Sequence, residues 1–491
     1  MRQRRRLGAP PSVGGAAVTA ATTDADKRVH NSTGLGMSAN GGWSHIISFS
    51  GVYDRTQVMS LVCLAFLRAA GALPRSATFD LELLGGVSAF SLNKIRAAHA
   101  RFPALHDVDI DVDGEDEKVV PGLQQLLPQL AGFFTSITEL NVSYQGLVSF
   151  PDLLCALTGL KKLYLNNNKI VALSDAIGDL KKMTCLNVSG NQLTALPDTL
   201  GALTGLTALW AHTNKMTTLP DSIAALPKMT TLNLESNTFT TLPKPIVKLT
   251  SLTTLHLGGN KLVTLPESIA ALTQIKTLTL SGNKFNTLPK SIIKLASLTV
   301  LDLSYNQIVT LSDSVAALTA LETLDLESNQ LVTLPDSVGA LTALGELRLY
   351  NNKLVTLPDS IAALTALKTL NLRLNELVTL PDSIAALTAL KDLDLNSNKF
   401  TSFPNAIAKL TKLTKLNLYN NQLVTLPDSI AALTALEILN LDDNELVRLP
   451  DSIASLTALE KLHLFSNGLA TPQSTAVEAW LTALEAGGCE T

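Results

Sequence analysis

Apolar and polar positions repeat along most of the chain in one frame, Leu-x-x-Leu-x-Leu-x-x-Asn, whose closing asparagine returns every 23 residues. It stands at Asn168, Asn191, Asn214, Asn237, Asn260, Asn283, Asn306, Asn329, Asn352, Asn375, Asn398, Asn421, Asn444 and Asn467 without a slip. One step further back Gln145 takes the place, so fifteen units fit. A repeat this regular marks stacked supersecondary units rather than separate domains. Within a unit, Leu324-Asp325-Leu326 alternates with period two, which predicts a short strand with one buried face. Pro335 has no N–H to give to a ladder. Leu331 to Pro335, and the return through Asp336, Ser337 and Val338, are therefore expected as extended or short 3₁₀ backbone outside the sheet. Ser174 and Ser312 replace that proline and mark two units whose turn is expected to differ locally.

One unit cannot bury its own leucines, so neighbours must stack. Leu321, Leu324, Leu326, Leu331, Leu334, Val338 and Leu341 are expected to point into the coil, each contributing roughly 1.5–3 kcal/mol on burial. The asparagine column has another task. A carboxamide offers donors and an acceptor to the backbone of adjacent tight turns, so these residues read as structural.

The unit resembles the leucine-rich repeat, in the 23-residue Leu-Pro-x-x-Ile variety of intracellular Ras-group and signalling scaffold proteins. The resemblance covers residues 137–467 and implies an α/β solenoid. A curved parallel sheet would form the concave face, short 3₁₀ or extended segments the convex side, and helical caps the two ends. It also implies a protein-protein interaction module or signalling scaffold that takes a protein partner on the concave face.

Residues 1–41 begin with Arg2, Arg4, Arg5 and Arg6 and continue in Gly, Ala, Ser and Thr, a composition expected to be disordered. The Arg-rich start also allows an organelle transit role, against which stand Asp24 and Asp26. Residues 42–75 have helical spacing after Asp54 and read as an N-terminal cap or, alternatively, as the back half of an F-box. Asp54, Leu61-Val62-Cys63 and Phe66 resemble that motif, with Ile46, Ile47 and Phe49 in place of its first helix, although the usual leading Leu-Pro is missing. The resemblance implies a substrate receptor that docks a cullin ubiquitin-ligase adaptor through Ile46, Ile47, Phe49, Leu61, Val62 and Phe66. Residues 76–136 resemble longer, irregular leucine-rich repeats. Phe79-Asp80-Leu81, Val108-Asp109-Ile110 and Leu140-Asn141-Val142 carry the strand pattern at spacings of 29 and 32, so the solenoid is expected to begin near residue 77. In residues 468–491, Val477, Trp480, Leu481 and Leu484 lie at helical spacing and predict a C-terminal cap.

Composition narrows the function classes. The 491 residues are 46% hydrophobic and 16% charged with a net charge of -4, which excludes a wholly disordered chain. No excess of either sign steers it to nucleic acid or an anionic membrane. No apolar run reaches the ~20 residues of a membrane span, and the N-terminus lacks the apolar segment of a secretory signal. The four cysteines, Cys63, Cys155, Cys185 and Cys489, lack paired or zinc spacing, which suits a reducing, cytoplasmic setting. Cys63 and Cys185 are expected to be small core residues. No phosphate-binding glycine loop, metal motif or catalytic constellation occurs. No enzyme, no metal and no cofactor is expected.

The concave face remains. Its strand positions are mostly Thr, Asn, Ser and Gly, spread over a surface on the order of 65 Å long at ~4.8 Å per strand. Against that background stand Tyr164, Trp210 and His212, and further along Asp302, Asp325, Glu327, Glu346, Arg348, Tyr350, Arg373, Asp394 and Tyr419. An exposed tryptophan is a common interface anchor. The charged patch reads either as partner-binding or as a ladder in which Asp325 meets Arg348 and Tyr350 meets Arg373. Each such exposed pair is worth about 0–1 kcal/mol.

Overall fold

The computed structural model describes residues 138–490 and, ahead of them, the strands Gly36–Met37, Trp43–Ser44, Ile46–Ile47, Ser76–Asp80 and Asp107–Asp111. From Glu139–Asn141 to Lys461–His463 each unit contributes one three-residue strand. Every strand pairs in parallel with the next at a 23-residue offset, as Thr323 with Glu346 and Asp325 with Arg348. Neighbours in the sheet are neighbours in sequence, which makes it an open ribbon.

Each strand buries its middle leucine and turns its flanks outward, apart from the buried Asp325. Leu321, Leu324, Leu326, Leu331, Val338 and Leu341 are fully buried and Leu334 nearly so, forming one apolar spine shared from coil to coil. Behind it runs a column of five-residue 3₁₀ helices, such as Asp336–Ala340, all but two led by a proline whose ring presets φ. A 3₁₀ turn is wider than a strand, so the sheet takes the inside of the curve. Ser174 and Ser312 hold the same backbone as the prolines they replace. Their φ, ψ are -74°, 147° and -75°, 153°, against -73°, 154° at Pro335, so the backbone is the same, and the local difference is that Ser174 Oγ accepts from Ala176 N, a cap that proline cannot supply.

The asparagine column forms a continuous ladder. Asn329 Nδ2 donates to Leu303 O of the preceding coil at 2.9 Å, and to Leu326 O and Glu327 O of its own turn. Its Oδ1 accepts from Ile308 N at 2.9 Å. The residue ahead of each asparagine, and of Gln145, lies in the left-handed region with φ between 49° and 63°, whether or not it is glycine.

Thr475–Ala486 is the C-terminal helix, capped where Ser474 accepts from Val477 N. Val477, Trp480 and Leu484 close the last coil, and Trp480 Nε1 donates to Leu456 O. Glu490 then pairs with the final strand through Leu462 N and Glu460 O.

At the other end the sheet continues back past the regular units. Ala77 pairs with Val108 and Val108 with Leu140, so these strands are spaced by 31 and 32 residues. Phe79 meets Ile110, not Val108 as the sequence reading had it. Ile46–Ile47, expected in a first helix, forms a strand beside Thr78 and Phe79 and carries the sheet past residue 77. The F-box-like residues Phe49, Asp54, Leu61, Val62, Cys63 and Phe66 lie outside the described residues.

Candidate protein-binding surface

The third position of each strand decides what the concave face can do. Where it is Asn or Asp, the side chain bends to accept the N–H two residues on, a local pin that short polar side chains favour. Asn141, Asn187, Asn233, Asp302, Asp325, Asn371, Asp394, Asn417 and Asn440 all make this bond. A third of the expected charged patch is therefore partly structural, since Asp302, Asp325 and Asp394 each commit one oxygen to their own turn. Tyr164, Trp210, His256, Thr279, Arg348 and His463 give the pin up. A residue that breaks a local rule kept elsewhere in the same column is a functional candidate.

Arg348 links the patch. Its Nε donates to Glu346 Oε1 at 2.8 Å and its Nη1 to Asp325 Oδ2 at 3.2 Å. Asp325 is only 8% exposed. Burial pushes its carboxyl upward, offset by the Glu327 N–H and Arg348, while Asp302 on the adjacent strand adds to the rise. Arg373 lies over the Tyr350 ring, 5.3 Å from its centre, a cation–π contact. Tyr305 donates to Glu327 at 2.9 Å, and Asp443 raises the Tyr419 phenol through their hydrogen bond. Burial likewise raises the carboxyls of Asp392 and Asp394. Trp210 lies between Asn187 and Asn233 on the face, half-buried and outside the spine, with His212 beyond it.

Several solved structures are similar to this chain. A leucine-rich repeat protein of Leptospira interrogans is 34% identical with a TM-score of 0.65, over 72% of this chain and 96% of its own. The chain belongs to the leucine-rich repeat proteins. Family profiles agree: the leucine-rich repeat region matches residues 268–353 and 382–485, and the leucine rich repeat matches 135–193, 204–262, 227–285 and 342–400. A TDR receptor is 28% identical with a TM-score of 0.58, over 67% of this chain and 59% of its own. An internalin of Listeria monocytogenes is 26% identical with a TM-score of 0.52, over 67% and 86%. No curated protein matches the chain.

In this leucine-rich repeat face the structure brings Asp302, Asp325, Glu327, Glu346, Arg348, Tyr350 and Arg373 together over four successive strands, with Asp394 and Tyr419 on the next two. Tyr164 stands apart, near the N-terminal end beside Cys185 and Glu139. Cys185 corrects an expectation. It is half-buried at the first position of its strand, outside the core, because the alternation that buries Leu186 turns it outward. Among the described cysteines Cys155 is the buried one, its thiol pushed up to about 12 by burial. Sequence reasoning passed over Glu235, His256 and Thr279, which join into one network across three strands. The signal was Gly258, the one position of its column with no side chain between them. Among the described residues no group of three or more His, Cys, Asp or Glu could hold a metal, and no helix is long and apolar enough to cross a membrane.

Proposed function

We propose that this chain is a protein-recognition module and signalling scaffold that grips its partner on the concave sheet face and performs no chemistry of its own. One observation carries the reading. The strand positions that abandon the local backbone pin put a tryptophan, a tyrosine, an arginine and two histidines on the same open sheet, residue types suited to interface anchoring. The carboxylates of Asp302, Asp325, Glu327, Glu346, Asp392 and Asp394 outnumber Arg348, Arg373 and Lys415 on neighbouring strands. Arg348 is already held by two of them. The complementary partner segment is therefore cationic. The unpaired Cys155, Cys185 and Cys489 suit a reducing, cytoplasmic setting for this role.

Affinity capture with the full chain tests it. Trp210→Ala and Arg348→Ala are expected to weaken capture of the same partner about tenfold or more, as truncated interface anchors do. The convex pair Asp336→Asn and Asp359→Asn is expected to leave it unchanged. Equal capture by all variants would sink the assignment.

A further inference from the structure

Between Trp210 and Thr279 the pin is missing from three of four consecutive strands, and a chain of titratable and hydroxyl groups takes its place. Thr279 Oγ1 donates to Glu235 Oε1 at 2.9 Å, across the strand that lies between them. His256 Nδ1 is 3.1 Å from that hydroxyl and 3.8 Å from Glu235 Oε1. The hydroxyl has spent its one proton on the carboxylate, so His256 Nδ1 carries the hydrogen of its contact. Gly258 leaves the room for the crossing, since a Cβ there would lie 3.3 Å from Glu235 Oε1 and 2.9 Å from Ser281 Oγ.

On the other side of Glu235, one strand back, His212 keeps its Nδ1 away from water with no partner. Burial holds this imidazole below the usual histidine range; Glu235 opposes that and His256 adds to it. The adjoining strand positions, Asn187, Ser189, Asn233 and Ser281, are neutral, and the next charge along the sheet is Asp302, beside Thr279. Glu235 thus sits between two imidazoles, and the network is incomplete at the Nδ1 of His212.

We propose that Trp210, His212, Glu235, His256 and Thr279 form a proton-responsive recognition site on the concave face. This rests on the reading of that face as the partner surface. With His212 neutral the site carries the negative charge of Glu235. With His212 protonated that charge is balanced, and Glu235 turns from Thr279 to the imidazolium. A cationic segment lying over Trp210 is held in the first state and released in the second.

Indole emission of the full chain, followed from neutral to mildly acid pH, reads the switch without a partner. Trp210 emission is the difference between the wild-type chain and Trp210→Phe. It is expected to fall reversibly with acid, while far-ultraviolet circular dichroism stays constant. His212→Asn should remove that fall. Glu235→Gln, nearly isosteric, should move its midpoint to lower pH by removing the charge that favours imidazolium. An unchanged transition in His212→Asn, or a midpoint indifferent to Glu235→Gln, would overturn the proposal. A flat emission alongside Trp210-dependent capture at neutral pH would remove the switch and leave the recognition surface standing. Loss of both would remove both.

Discussion

At the scale of single residues, columns of equivalent positions act as internal controls. Asn329 satisfies three carbonyls and one N–H. Asn329→Ala is therefore expected to destabilise by about 1–3 kcal/mol per buried group left unpaired, read as a lower midpoint in urea unfolding. Leu374 holds φ at 51° and is 38% exposed, where a Cβ costs about 1–2 kcal/mol. Leu374→Gly should stabilise despite glycine's greater freedom when unfolded, by about 0.5–1 kcal/mol in the same assay. Asp394 sits where Asn417 makes the same pin, so Asn fits there. Because burial raises the Asp394 carboxyl, the folded state binds its proton more tightly than the unfolded chain does. The stabilisation this gives is complete below the ordinary value of 3.8 and is lost as pH rises through the folded value. Asp394→Asn is expected to raise the melting temperature at neutral pH, by up to about 0.5 kcal/mol in stability. The advantage should vanish in strong acid, and a gain independent of pH would contradict the cause given.

At the scale of elements, the C-terminal helix meets only the last coil, so its influence should be local. Trp480→Ala removes a buried indole and its bond to Leu456 O. It is expected to cost about 3–5 kcal/mol and to speed amide exchange in the final units while the first regular units stay protected. This helix was legible from Val477, Trp480 and Leu484, and the strands and convex turns were legible from leucine alternation and Pro335. Strand register before the regular units was not. Ala77-Thr78-Phe79 and Phe79-Asp80-Leu81 both alternate, and period two alone cannot choose between frames two residues apart. The Glu235 network escaped for a different reason: it joins residues 44 apart through a long side chain crossing a glycine, and a strand pattern says nothing of such reach. Tyr164, Trp210 and Arg348 were readable as departures from a column of Asn and Asp.

At the scale of the whole molecule, near-identical units make length adjustable. Removing residues 354–376 takes out one 23-residue period within the matching stretches that begin at Leu354 and Leu377. The shortened chain should fold with unchanged circular dichroism per residue but lose partner capture, because Arg348 and Tyr350 would no longer stand one strand from an asparagine and Arg373. An unfolded product would show that coils are less interchangeable than their sequences suggest. The asparagine ladder has a sense of direction: each carboxamide reaches back to the turn before it, as Asn352 does to Leu326 O and Leu331 N. A chain leaving the ribosome therefore always offers its newest turn a finished one to fasten onto. At ~5–20 residues per second one coil emerges roughly every 1–5 s, so the solenoid can wind shut behind the moving end, with the tryptophan-bearing helix following the final coil as its latch.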